Sequence, residues 1–160
     1  MRRLLCAAAI CLCAQPAFAA WEFHDVTDDS GEAYVGTVLD DSGEILLEIY
    51  CDDWLPGMVD LTLYTGEAHD PDSSYADEGV MTVTADGASS VDITAFFDDM
   101  DGELLIYTSN FEVDNIVDVM LLMAQAQQTI GVTYFDRAYR FSAEDAFSVI
   151  ERLATDCPAE

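Results

Sequence analysis

Residues 45–51, Ile45-Leu46-Leu47-Glu48-Ile49-Tyr50-Cys51, carry the clearest structural signal in the chain. Ile45, Leu47, Ile49 and Cys51 recur at every second position. In an extended backbone they share one face, with Leu46, Glu48 and Tyr50 on the other. The segment therefore reads as a strand whose Cys51 points inward. Upstream, the pentapeptide Asp-Asp-Ser-Gly-Glu occurs at 28–32 and again at 40–44, twelve residues apart. Asp and Ser satisfy nearby backbone donors and Gly supplies the left-handed residue of a tight turn. The two copies bracket a strand over Ala33–Leu39, and Trp21–Val26 opens the sheet.

Downstream, Val59, Leu61 and Leu63 form a further inward row, with Asp60, Thr62 and Tyr64 opposite. After a polar loop over Asp70–Glu78 come strands at Val80–Ala85, Val91–Phe97 and Leu104–Thr108. Asp86-Gly87 and Asp101-Gly102 mark the turns between them. The period then changes. Val113, Ile116, Val117, Met120, Leu121 and Ala124 follow helical spacing. Thr129–Phe135 returns to strand chemistry, and Tyr139 and Phe141 continue it after a turn near Asp136. Ser142 with Asp145 three residues on gives a capping signal for a last helix. Ala146, Val149, Ile150 and Leu153 make its buried stripe, and it ends near Asp156. The expected class is mainly β, with β-sandwich-like antiparallel sheets and two helices in the C-terminal third; α+β is the alternative class.

The chain has 160 residues, 32 Asp plus Glu, five Arg and no Lys, for a formal net charge of −27. Such a chain does not neutralise phosphates, which excludes nucleic acid and anionic lipid as partners. Because 51% of residues are hydrophobic, the composition is not that of a disordered acidic tail. A high net charge keeps a protein hydrated and monomeric, and salt screens its self-repulsion. The acidity reads first as solubility in saline surroundings and second as a recognition surface for a basic partner.

Arg2 and Arg3, the apolar run Leu4–Cys13 and Ala17-Phe18-Ala19 form the three parts of a secretory signal, with cleavage expected after Ala19. Residues 20–160 then form a single β-rich periplasmic domain without a membrane anchor. Processing leaves Arg137, Arg140 and Arg152 against the same 32 acids, a net charge of −29. It also leaves only Cys51 and Cys157. In an oxidising compartment these two are expected to form a disulfide. Closing a loop of about 100 residues is worth at most about 4–5 kcal/mol by the chain-entropy argument.

Catalytic patterns are sparse. The chain has no G-x-S-x-G motif, and no Lys or free Cys is left as a nucleophile. Paired carboxylates could serve a hydrolase, but 32 acids make chance pairs unavoidable. Asp98, Asp99, Asp101 and Glu103 resemble a calcium loop. With Gly102 at the sixth position of an EF-hand, however, Phe97 takes the first position and Thr108 the twelfth. Weak calcium binding by these turn acids stays open. His24 and His69 have no further His or Cys at ligand spacing.

The order of motifs resembles small bacterial periplasmic proteins of the invasion-associated locus B type, and the type VI secretion accessory proteins called VasI or TagO. It is carried by a Trp at the processed start (Trp21), Leu47-x-Ile49-x-Cys51, Val83-x-x-Asp86-Gly87, and Phe141 and Ala146 ahead of a helix ending in Cys157. Ala85 stands where those families often place a basic residue. The resemblance implies a periplasmic β-sandwich-like domain, a Cys51–Cys157 bridge and no catalytic residues. The expectation is a non-enzymatic periplasmic interaction or envelope-accessory protein without a cofactor, monomeric, serving an envelope or basic protein partner. A calcium-responsive binding domain and a carboxylate-pair hydrolase are its alternatives.

Overall fold

The computed structural model describes residues 19–69, 78–108 and 113–158. Residues 1–18, where the secretory signal is expected, and the polar loop over 70–77 lie outside the described residues. Among the described residues, nine strands and two helices follow one another: β1 (Glu22–Asp25), β2 (Ala33–Leu39), β3 (Leu46–Asp52), β4 (Asp60–Ala68), β5 (Glu78–Ala85), β6 (Ser89–Met100), β7 (Glu103–Thr108), α1 (Val113–Gln125), β8 (Thr129–Tyr134), β9 (Arg137–Ser142) and α2 (Ala146–Asp156). The class is thus mainly β with two helices. The strands join in one antiparallel sheet of order β1-β2-β3-β4-β7-β6-β5-β8-β9, where two facing sheets were expected. The sheet curls far enough for Asp40, just past β2, to bridge Phe141 of β9, although six strands lie between β2 and β9.

Register follows the alternation of side chains. Leu47 lies opposite Val38 and Leu63, and Leu63 opposite Ile106. Ile106 lies opposite Phe97, and Met81 opposite both Ile93 and Tyr134. One apolar face thus runs unbroken across the sheet. A one-residue slip in any strand would turn this face outward, so burial fixes the register. The helices cover the same face. α1 packs on β5 and β6, α2 on β1 and β2, and the helices on each other. Gly36 of β2 lets α2 sit close: a Cβ there would lie 2.8 Å from Val149 Cγ1 and 2.9 Å from Leu153 Cδ1.

Turn chemistry joins the strands. In the first acidic pentapeptide Asp28 accepts from the Ser30 N–H and hydroxyl. In the second, Asp40 Oδ1 accepts from the N–H groups of Ser42, Glu44 and Ile45, each at 3.2 Å. Gly43 is left-handed, at φ 76°. Asp101-Gly102 makes a two-residue hairpin loop with both φ angles positive, at 57° and 87°, as type I′ turns require. Asp86 does more than turn the chain. Its carboxylate accepts from the backbone N–H groups of Gln127, Gln128 and Thr129, fastening the end of α1 to the β5–β6 turn.

The second helix begins differently from its sequence signal. Ser142 belongs to β9, and its Oγ accepts from the Glu144 N–H at 3.0 Å. The N-cap is Asp145, left-handed and without a side-chain cap bond. The chain needs the intervening residues to leave the sheet before the helix starts. The expected buried stripe, Ala146, Val149, Ile150 and Leu153, is the one observed. Beyond the helix, Cys157 is bonded to Cys51, with Cα atoms 5.8 Å apart. At the other end Trp21 is buried, its backbone N–H donating to the Glu144 carbonyl and its indole to the Ser142 carbonyl, both at 3.0 Å.

Candidate interaction surfaces

The loop between β3 and β4 displays the most exposed large apolar side chain among the described residues, Trp54 at 76%. The local cause is Asp52. Its Oδ1 accepts from the N–H groups of Trp54 and Leu55, both at 3.0 Å, while its Oδ2 accepts from the Tyr50 hydroxyl at 2.9 Å. With its carboxylate bound in this way, the backbone must turn outward at once. Further bonds hold the loop: Asp53 N–H to the Glu32 carbonyl at 3.0 Å, Met58 N–H to the Leu55 carbonyl at 3.0 Å, and Gly57 N–H to the Pro158 carbonyl at 2.7 Å. Trp54 is thus presented on a pinned loop, with little ordering left for a partner to impose.

Beside Trp54 lies a recess of about 210 Å³ lined by Val26, Asp28, Glu32, Tyr50, Asp52 and Asp53. Four of these are acids, and Val26 is itself exposed. An indole rimmed by carboxylates suits a cation: the ring face attracts it, and the acids neutralise it. Ser30 holds the Asp28 carboxyl below the usual range through its hydroxyl and N–H. A general acid needs the opposite displacement.

On the other side of the same loop, Gly57, Met58 and Val59 border an apolar groove of about 280 Å³ between the helices. Val117, Met120 and Leu121 of α1 and Ile150, Leu153 and Ala154 of α2 line it, with Cys157 and Pro158 at its end. Here the structure departs from the sequence pattern. Ile116, Val119, Met120 and Met123 are the buried residues of α1, while Val117 and Leu121 are 47% and 53% exposed. The helix is apolar over more of its circumference than the sheet can cover. The surplus therefore faces outward beside α2, which exposes Phe147 to 60%.

The remaining candidates are engaged in local structure. Asp98 and Asp99 end β6, Asp101 lies in the hairpin loop and Glu103 begins β7. Asp98 accepts from the Asp99 N–H, Asp99 from the Gly102 N–H at 2.6 Å, and Glu103 from the Gly66 N–H at 2.9 Å. Among the described residues no three His, Cys, Asp or Glu side chains are placed to hold a metal ion. His69 Nδ1 lies 3.4 Å from Asp99, and His24 Nε2 3.1 Å from the Thr37 hydroxyl. Arg137 makes a two-pronged contact with Glu67, closest at 2.7 Å, besides Asp136. Arg140 faces Asp41, and Arg152 faces Asp156 while lying 3.7 Å over the Phe23 ring.

On the outer face of the sheet, Tyr64 donates to Glu48 at 3.2 Å. Burial raises the Glu48 carboxyl, and the Tyr64 bond opposes that rise. Burial and the neighbouring Asp52 charge raise Asp60. Tyr50 and Tyr64 are pushed up to about 12, chiefly by burial and then by the carboxylates beside them.

Cys51 and Cys157 are where the sequence puts them. The sequence reading missed Trp54, Val117 and Leu121 as surface features. For Trp54 the signal is present: Trp54-Leu55-Pro56-Gly57 sets two large apolar residues against a Pro-Gly break, where a turn leaves them no strand face to bury. Among the described residues no helix is long and apolar enough to cross a membrane. No known protein family, curated protein or solved structure matches the chain.

Proposed function

We propose that this is a non-enzymatic interaction protein of the bacterial periplasm that binds a basic protein partner through the surface around Trp54. The observation that carries this reading is the 76% exposure of Trp54 on a loop pinned by Asp52. An exposed Trp on a preorganised loop, rimmed by acids, has the make-up of an interface anchor. The net charge of −27 selects for cationic partners and speeds their encounter. The resemblance in motif order to periplasmic accessory proteins points the same way.

The test is a titration of the protein with an Arg/Lys-rich peptide, read by tryptophan emission and by calorimetry. Trp54→Ala should weaken binding by at least about tenfold, as for an anchor residue, and leave the melting temperature unchanged. Equal affinity for the variant and the parent chain would sink the proposal.

A further inference from the structure

We infer that the groove between α1 and α2 receives an amphipathic helix of a cationic partner, with the partner's apolar face seated on Val117 and Leu121. This rests on the proposed basic-partner function and names the form the partner takes. The groove, of about 280 Å³, is apolar along its helical walls and can take side chains inserted from a partner. Its two walls are helices, and exposed apolar residues stand on both: Val117 and Leu121, four apart, on α1 and Ala154 on α2. Such a surface takes a third helix presenting side chains three and four apart.

Charge decides which helix. Asp118 and Glu151 stand exposed on the two helices, whereas Arg152 is engaged by Asp156 and Phe23. A second copy of this chain would bring another −27 to the contact, and an anionic bilayer would be repelled likewise. A helix with Lys or Arg beside its apolar stripe meets both the groove and its surroundings. Loop 53–59 borders the groove through Gly57–Val59 and displays Trp54 on its other side, so one partner can engage both.

The experiment titrates the protein with a Leu/Lys amphipathic helical peptide and with a scrambled peptide of the same composition. The amphipathic peptide should bind at least about tenfold more tightly than the scrambled one. Leu121→Glu and, separately, Val117→Glu should each remove that advantage while thermal unfolding stays unchanged; both positions are exposed, so two variants guard against a folding artefact. Equal binding of the two peptides, or an advantage untouched by both variants, overturns the inference. A dimer in sedimentation that Leu121→Glu dissolves overturns it in favour of a second copy. If the groove variants have no effect but Trp54→Ala still weakens binding, the groove inference falls and the proposed function stands. If neither matters, both fall.

Discussion

Asp86 and Thr129 are bonded to each other twice: the Asp86 N–H donates to the Thr129 carbonyl at 2.8 Å, and Asp86 Oδ1 accepts from the Thr129 N–H at 2.9 Å. Three backbone bonds to the carboxylate hold it below the usual range. Asp86→Ala removes both acceptor oxygens, and with them all three bonds, and places alanine at a φ of 52°. Asp86→Asn tolerates that backbone and keeps one acceptor. The alanine variant should unfold at lower urea concentration than the asparagine variant, and both below the parent. Equal midpoints for all three would show that the clasp does not support the β5–β8 junction.

Stability should pass through a maximum in weak acid. Glu48 and Asp60 lie above their ordinary 4.5 and 3.8, so the folded protein binds these protons more tightly than the unfolded chain. Stability is then lost as pH rises from those ordinary values through the raised ones, and regained on descent. Asp86, Asp40 and Glu67 lie below their ordinary values. Their contribution is present above the unfolded values and lost as pH falls through the depressed ones. Melting temperature against pH should therefore rise from neutral into weak acid and fall below it. Glu48→Gln should flatten the neutral limb; an unchanged limb would remove Glu48 as a cause.

Gly36→Ala should destabilise the fold by about 1–3 kcal/mol, the usual range for an overpacked contact. The added methyl meets Val149 and Leu153 of α2 below 3 Å. Chemical denaturation measures this directly. An unaltered midpoint would mean that α2 is not seated on β2.

Replacing both Cys51 and Cys157 by Ser should lower stability by no more than about 4–5 kcal/mol, because the bond spans a sequence separation of 106. The folded signature should persist, since a continuous core remains around it. Unfolding at 25 °C on removal of the bond would show that the core alone is insufficient.

The two tryptophans offer an optical check on the proposed surface. Trp21 is 3% exposed and Trp54 76%. Trp54→Phe should leave a blue-shifted emission that acrylamide barely quenches, whereas Trp21→Phe should leave a red-shifted, readily quenched one. Equal quenching in the two variants would contradict the loop geometry.

Much of the architecture was legible because alternation is a local signal. Ala33–Leu39 is a strand with those bounds, the Asp86-Gly87 and Asp101-Gly102 turns lie where their residue types put them, and α1 begins at Val113. What was not legible depends on distant partners. Arg137 is held by Glu67, 70 residues away, although Asp136 stands beside it in sequence. Helical spacing showed that α1 is amphipathic but not how much of its apolar surface the sheet could cover. Val117 and Leu121 share the spacing of Ile116 and Met120, yet they are half exposed and line the groove. The single sheet, where a sandwich was expected, reflects curl accumulated over nine strands, which no single strand encodes.

The bond between Cys51 and Cys157 also sets an order of events. Eight of the eleven elements, from β4 to α2, lie between its two halves. A chain made from its N-terminus holds Cys51 as a waiting thiol until the last helix has been synthesised. Once both cysteines are present, the bond latches the end of α2 to β3.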